Sequence, residues 1–82
     1  MMFMEPPFTK RQGQYLAFIA TYTKLNGRPP AEADMQRYFK VTPPVVHQMI
    51  LALERRCLIA RTPGQSRSIE VLVPREQLPA LD

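Results

Sequence analysis

The chain has 82 residues and a hydrophobic fraction of 45%, enough for one small domain with a modest core and too little for an enzyme domain joined to a second module. Its single cysteine, Cys57, excludes an internal disulfide and a zinc site built from several cysteines, and it is compatible with a reducing cytoplasm, where we expect the protein. The net charge is +4 and the pI is near 9.7, which indicates an acidic partner only if the basic residues cluster.

The first segment, residues 1–8, is predicted to be a flexible arm. Its apolar start is interrupted at Glu5, so it is too short for a membrane span or a secretion signal. Helix 1 is predicted to begin at Thr9, because Gln12 three residues later completes a capping box, and to end at Gly27. Its core face is expected to carry the apolar residues at helical spacing: Tyr15, Phe18, Ile19, Tyr22 and Leu25.

A second helix is predicted over residues 31–39. Glu32 and Asp34 are favourable near its positive N-terminal end. The side chains that can turn inward are Met35, Tyr38 and Phe39. Only Lys40 and Val41 separate this helix from the next one, so the two helices form a helix-turn-helix candidate.

The third helix is predicted to begin at Thr42, whose hydroxyl can cap a free backbone amide, with Pro43 tolerated in the first turn. Four apolar residues share one face and should pack on the core: Val46, Met49, Ile50 and Leu53. The opposite face contains no acid and is formed by Pro44, Gln48, Leu51 and Arg55, with Val45 and His47 on its flanks. This surface favours a DNA recognition helix.

After helix 3 the apolar period changes from 3.6 to 2. Residues 58–62 and 68–73 are predicted strands joined by a polar turn, and such a hairpin after a helix-turn-helix is a wing. At the end of helix 3 we expect Cys57 to be a buried structural thiol, with a redox-sensing thiol as the alternative. Residues 74–82 are predicted to be a loosely ordered tail. The expected fold is therefore mainly α with a small β-hairpin, a three-helix winged helix-turn-helix over residues 9–73.

The basic residues cluster in one part of the chain. Between Met35 and Ile69 there are six basic residues and one acid, Glu54, whereas the remainder of the chain has a net charge of −1. A basic half that contains the candidate recognition helix is typical of a phosphate-binding face. The residues predicted to contact DNA phosphates are Lys40, Thr42, Arg55, Arg61 and Arg67.

The order and spacing of these motifs resemble those of a known protein family. Between Val41 and Ile59 the order of apolar residues is similar to that of bacterial winged helix-turn-helix proteins. Further landmarks resemble the N-terminal DNA-binding domain of the SOS repressor LexA, in the same order: Thr9-x-Arg11-Gln12, Gly27-x-Pro29-Pro30, Thr42-Pro43 and Gly64-Gln65-Ser66-Arg67-Ser68-Ile69. The resemblance covers roughly Thr9 to Leu72. It implies a winged-helix fold and sequence-specific DNA binding.

This sequence departs from the family pattern at several positions. The turn before helix 3 is one residue shorter, and Lys40 stands where that family usually has glycine. Cys57 also occupies a usual glycine position, and Ser68 replaces a glycine of the wing. Helix 3 begins with Pro-Pro-Val in place of more polar residues, so operator specificity does not carry over. We expect this chain to lack the protease and dimerisation domain of the family, and therefore to have neither self-cleavage nor its dimer interface.

Two functional hypotheses follow. In the first, the protein is a transcriptional regulator that binds double-stranded DNA, and the base-reading residues are Pro44, Val45, His47, Gln48 and Leu51. In the second, it is a winged-helix interaction module that docks a protein partner through Pro44, Val45 and Leu51. An enzyme is not expected, because one histidine, one cysteine and no glycine-rich phosphate loop offer no catalytic, cofactor or metal site. We likewise expect no small-molecule substrate and no membrane partner. A homodimer could form through residues 1–8 or through Leu78 and Leu81.

Overall fold

The computed structural model describes residues 7–82 and contains three helices followed by a short hairpin. The elements are α1 (Lys10–Asn26), α2 (Glu32–Phe39), α3 (Pro43–Arg55), β1 (Ile59–Ala60), β2 (Glu70–Val71) and one turn of 3-10 helix (Arg75–Gln77). The strands are antiparallel, with Ile59 opposite Val71 and Ala60 opposite Glu70. The predicted fold class, a mainly α winged helix-turn-helix, is confirmed. Residues 1–6, most of the predicted arm, lie outside the described residues.

Helix α1 begins with the predicted capping box. The Thr9 hydroxyl accepts a hydrogen bond from the Gln12 amide at 3.1 Å, and the Gln12 side chain accepts one from the Thr9 amide at 2.9 Å. The helix stops at Gly27, which has the left-handed φ of 74°. The prediction of Leu25 as a core residue is wrong, because Leu25 is 76% exposed. The whole last turn, residues 24–26, extends beyond the elements that cover the helix.

The core lies where α1, α2 and α3 meet beneath the hairpin. Its fully buried side chains are Tyr15, Leu16, Ile19, Met35, Val46, Ile50, Leu53 and Ile59. The Tyr15 ring stacks on that of Phe39, with ring centroids 4.0 Å apart. Tyr38 was expected to turn inward, but it is 42% exposed and covers Phe18 from the outside, with ring centroids 4.6 Å apart. The three predicted inward residues of α3 other than Met49 are fully buried, and Met49 is half-buried.

The turn between α2 and α3 has the predicted length. Lys40 adopts the left-handed conformation, with φ 57°, and ends α2. Thr42 is the N-cap residue of α3, as predicted, but its hydroxyl makes no capping hydrogen bond. The reason is local: prolines 43 and 44 have no N–H, and the Val45 amide donates to the Thr42 carbonyl at 3.1 Å. No free donor is left for the hydroxyl at this helix start.

The backbone at the end of α3 determines the position of Cys57. The Cys57 amide donates to the Glu54 carbonyl at 3.0 Å, and the Leu58 amide donates to the Leu53 carbonyl at 3.0 Å. These two bonds form a Schellman motif, in which the residue at Cys57 must be left-handed, and its φ is 60°. The motif buries Leu58 and leaves Cys57 exposed. The prediction of a buried thiol is therefore wrong.

The last nine residues pack on the domain, contrary to the predicted loose tail. Leu78 and Leu81 are half-buried against the core. The Gln14 side chain donates to the Ala80 carbonyl at 2.9 Å and accepts from the Asp82 amide at 2.9 Å. Phe8, at the end of the predicted arm, also packs against the core. Leu78 and Leu81 therefore contribute to this domain's own packing, which leaves less of them for dimerisation.

The hairpin is shorter than predicted. Ile69 is buried, and Val71 and Val73 are half-buried, so the expected inward side is confirmed. Regular pairing covers two residues on each strand, because the Ser68 hydroxyl occupies the Thr62 amide at 2.9 Å, where a strand partner would otherwise bind. Hereafter the wing denotes residues 59–71.

Candidate nucleic-acid interface

Helix α3 exposes most of the face that was predicted to contact DNA. Most of the predicted base-reading side chains are exposed, namely Pro44, Val45, His47 and Gln48, whereas Leu51 is half-buried. On the opposite side of the helix Val46, Ile50 and Leu53 are fully buried. The helix is thus held by one face and free on the other. Its free face is bordered on one side by the wing and on the other side by the first turn of α1.

On the wing flank, the side of α3 bordered by α2 and the wing, cations face acids. His47 Nδ1 lies 3.5 Å from Glu32 Oε2, so this contact is an ion pair when the imidazole is protonated. Arg61 Nε donates to Glu54 Oε1 at 3.1 Å, and the Arg61 side chain is 23% exposed. The positive charge of Arg61 is therefore partly neutralised within the domain.

Arg67 is also engaged within the domain. Its Nη1 atom lies 3.1 Å from Asp34 Oδ2, 3.2 Å from the Tyr22 hydroxyl and 3.4 Å from the Pro29 carbonyl. The Asp34 carboxylate also accepts from the Ala31 amide at 2.8 Å. That backbone hydrogen bond, more than the neighbouring guanidinium groups, lowers the pKa of Asp34 against the opposing effect of burial. The hydrogen bond from Arg67 to Tyr22 helps to raise the pKa of the guanidinium.

The helix-1 flank, the other side of α3, has a different character. A groove of about 450 Å³ runs between the two helices and is lined by Thr9, Gln12, Pro44, Val45, Gln48, Met49 and Ala52. Arg56 reaches this side and donates to the Gln12 side chain at 3.4 Å. Arg11, in the first turn of α1, holds its guanidinium carbon 5.1 Å from the centre of the Phe39 ring. Within residues 7–82 neither arginine is in a salt bridge.

The predicted phosphate-binding residues thus separate into two groups. Lys40, Thr42 and Arg55 are exposed, and in the described part of the chain neither Lys40 nor Arg55 pairs with an acid. Arg61 and Arg67 are paired with Glu54 and Asp34. Arg11 and Arg56 were not among the residues predicted to contact phosphates, and neither pairs with an acid within residues 7–82. Arg56 directly follows the predicted Arg55, but it lies at the C-cap, where projection of a helical period no longer gives the direction of a side chain.

Residues 7–82 include no cluster of three or more potential metal ligands among histidine, cysteine and acidic side chains. None of the helices in this range is long and apolar enough to pass through a bilayer.

Comparison with known proteins gives a consistent result. The model of the LexA DNA binding domain family matches residues 4–68. The LexA repressor of Thermosipho africanus is 42% identical over 64 residues, which cover 78% of this chain and 32% of that protein. The LexA repressor of Thermosipho melanesiensis is 37% identical over 70 residues, 85% of this chain and 35% of that protein. The chain spans about a third of the length of these relatives. It belongs to the LexA DNA-binding domain family.

Proposed function

We propose that this domain is a transcriptional regulator that binds duplex DNA through the free face of α3. The observation that supports this proposal most directly is that α3 has one buried face and one exposed face. Val46, Ile50 and Leu53 are fully buried, and the acid-free opposite face is exposed directly after a tight turn. A helix held in this way can enter a major groove, which is wide enough for one helix. Membership of the LexA DNA-binding domain family supports the same function.

Base reading is assigned to the exposed N-terminal half of α3. Gln48 is the leading candidate, because its amide can pair with both the N6 and N7 positions of adenine. Val45 can contact the methyl group of thymine, and His47 can donate to a guanine or a phosphate. The full proposed set is Pro44, Val45, His47, Gln48 and Leu51. Leu51 is the weakest member because it is half-buried.

Phosphate contacts are assigned first to the basic residues without an acid partner. From the sequence set these are Lys40 and Arg55, with the exposed hydroxyl of Thr42 as a neutral donor. The helix-1 flank adds Arg11 and Arg56. Arg61 remains in the proposed set, because its ion pair uses only Nε, but Glu54 offsets its charge.

A salt titration tests the proposal. Affinity for a labelled duplex of random sequence should fall with salt, with a log–log slope of about −0.9 for each phosphate neutralised. No detectable binding at about 50 mM salt would contradict DNA binding. Base reading is tested by selection from randomised duplexes. Gln48→Ala should relax the preference at one base position, and Gln77→Ala, at an exposed glutamine in the C-terminal segment, should not.

A second candidate function is docking of a protein on α3. The groove on the helix-1 flank is mostly apolar and contains Pro44 and Val45, which favours this alternative, but Leu51 does not line it. Val45→Lys separates the two functions. An added cation should preserve or strengthen binding to random duplex, whereas it should prevent an apolar partner from docking. Loss of random-duplex binding in a folded Val45→Lys protein would show that the apolar side chain of Val45 itself contributes to the DNA interface.

We further propose that two copies bind a pseudo-palindromic site, because one α3 offers few base contacts. The half-sites would be separated by about 34–36 Å or a multiple of it. Sedimentation of the protein with its selected duplex measures the stoichiometry. A strictly 1:1 complex on the best site would exclude the paired arrangement.

A further inference from the structure

We propose that Arg67 and Asp34 form an anchor that positions the wing for DNA contact, and that Arg67 is not itself a phosphate contact. Positioning of the wing matters only if the domain binds DNA, so this inference rests on the proposed function. The anchor joins two residues that are 33 positions apart in the chain. It assigns a role to a wing cation whose guanidinium meets three acceptors within the domain.

The geometry of Arg67 supports this role. One nitrogen atom, Nη1, meets acceptors from three segments: the Tyr22 hydroxyl of α1, the Pro29 carbonyl of the following loop and Asp34 of α2. A nitrogen carrying two hydrogens shares them among these acceptors. The Arg67 side chain is 31% exposed and that of Asp34 only 10%. The interaction is thus shielded from water more than an ordinary surface ion pair.

Asp34 is an acceptor that is already oriented. Its carboxylate receives the Ala31 amide at 2.8 Å and is also bonded by Arg37 at 2.6 Å. Arg67 therefore binds a group whose rotation is restricted before the wing arrives, which lowers the entropy lost when the contact forms. The same hydrogen bonds favour the charged form of Asp34.

Backbone conformation gives a second, independent observation. Arg67 has a φ of 56°, in the left-handed region where a side chain carries a steric cost. Such a conformation persists when surrounding contacts hold it. Here the strained backbone directs the side chain of Arg67 back towards α2.

The wing needs such a contact because its own pairing is slight. Two residues on each strand pair regularly, and a two-stranded hairpin is only marginally stable by itself. One side of the wing turn is tied to α3 through Arg61 and Glu54. The other side is tied to α2 through Arg67 and Asp34. Releasing the second tie leaves the turn free to move away from the surface that α3 presents.

The experiment asks whether removing the Asp34 charge strengthens or weakens DNA binding. Removal of an acid from a DNA-binding protein ordinarily strengthens binding, because repulsion from phosphates falls. The anchor predicts the opposite for Asp34→Asn, which keeps an oxygen to cap α2 but loses the ion pair. We expect affinity for the selected duplex to fall about three- to tenfold. Glu76→Gln, a matched loss of an exposed acid in the C-terminal segment, should leave binding equal or slightly tighter.

Arg67 variants complete a double-mutant cycle. Arg67→Gln should weaken binding as much as Asp34→Asn does, and the double variant no more than either single one, within about twofold. The salt slope should stay unchanged. Arg67→Lys keeps the charge on a shorter side chain, which places its nitrogen farther from the three acceptors, so it should also weaken binding. A phosphate contact would give the reverse: a slope flattened by about 0.9 for Arg67→Gln and near-normal binding for Arg67→Lys. That outcome would overturn the anchor.

A measurement without DNA separates this inference from the proposed function. In the free protein, the Gln65 amide donates to the Thr62 carbonyl at 3.1 Å, and the Thr62 amide donates to the Ser68 hydroxyl. Hydrogen exchange at these two amides should become faster in Asp34→Asn and unchanged in Glu76→Gln. Unchanged exchange in Asp34→Asn would refute the anchor, whereas absence of wild-type DNA binding would refute only the proposed function.

Discussion

The two flanks of α3 carry similar numbers of basic residues but present them differently. On the wing flank, Arg61 and Arg67 face Glu54 and Asp34, and His47 faces Glu32. On the helix-1 flank, Arg56 contacts an uncharged glutamine. Arg11, in the first turn of α1, lies over the rings of Tyr15 and Phe39. The number of basic residues is similar on the two sides, but three acids lie on the wing flank, so the charge available to a phosphate is greater beside α1.

The difference between the flanks arises because charges that are separate along the chain meet in the fold. The basic segment begins at Met35, directly after two acids, Glu32 and Asp34. Folding returns both acids to the wing side of that segment, where they meet His47 and Arg67. Two charges that are distant in sequence can be close in space. The electrostatic potential at a bound phosphate depends on the charges that are close in space.

The two flanks are held apart by α3, and the largest expected effect comes from weakening the packing of this helix on the core. Leu53→Ala should lower the free energy of unfolding by about 2–5 kcal/mol, because Leu53 is fully buried and the truncation leaves a cavity. Chemical denaturation measures this. Gln48→Ala, on the exposed face, should change stability by about 0.5 kcal/mol or less. Equal destabilisation by both variants would contradict the assigned orientation of α3.

The next prediction contrasts one arginine from each flank. Arg56→Gln should flatten the salt slope of DNA binding by about 0.9 and weaken binding to all sequences alike. Arg61→Gln should flatten it clearly less, because Glu54 offsets part of the Arg61 charge. Fluorescence titrations at several salt concentrations measure both slopes, with Arg75→Gln in the C-terminal segment as the control. If Arg61 contributed as much as Arg56, the two flanks would be equivalent.

Two left-handed residues give smaller effects on stability. Lys40 has a φ of 57° and Cys57 a φ of 60°, so glycine at either position removes a steric cost of about 1–2 kcal/mol. Part of this gain is lost because glycine makes the unfolded chain more flexible. We expect each variant to be stabilised by roughly 0.5–1 kcal/mol in thermal unfolding. Only Lys40→Gly should also flatten the salt slope, since Cys57 carries no positive charge.

The smallest predicted effect concerns pH. The pKa of Asp34 lies below its ordinary value of 3.8, first because of the Ala31 amide and then because of Arg67 and Arg37. Asp34 therefore stabilises the folded state above that ordinary value, and this contribution is lost as pH falls through the lower pKa. Urea unfolding from about pH 7 to pH 3 should show the wild-type advantage over Asp34→Asn shrinking towards the acid end. A constant difference would show that the charge of the Asp34 carboxylate does not contribute to the stability of the folded domain.

Two features that depend only on residues close in sequence were predicted correctly. The capping box of Thr9 and Gln12 and the apolar stripe of α3 require only helical spacing, and both were predicted correctly. Leu25 was wrong because its burial depends on how far other elements extend over α1. The Arg67–Asp34 contact joins residues far apart in sequence, and no local pattern reveals it.

Two other incorrect predictions could have been avoided from the sequence itself. Cys57 occupies a position where the resembling proteins usually have glycine, which indicates a left-handed residue at an exposed helix end. The Thr42 hydroxyl was expected to cap α3, although two consecutive prolines follow it and contain no amide hydrogen. Both errors came from considering side-chain type before accounting for the backbone donors.

Those two prolines also determine how α3 can recognise an anion. Free backbone N–H groups at a helix start commonly bind phosphate. Pro43 and Pro44 have none, and the amides of Val45 and Val46 both donate to the Thr42 carbonyl, at 3.1 and 3.3 Å. The start of α3 is therefore closed as a backbone anion site. Proposed phosphate recognition by this helix must come from side chains, whose charges can be changed one at a time without altering the helix start.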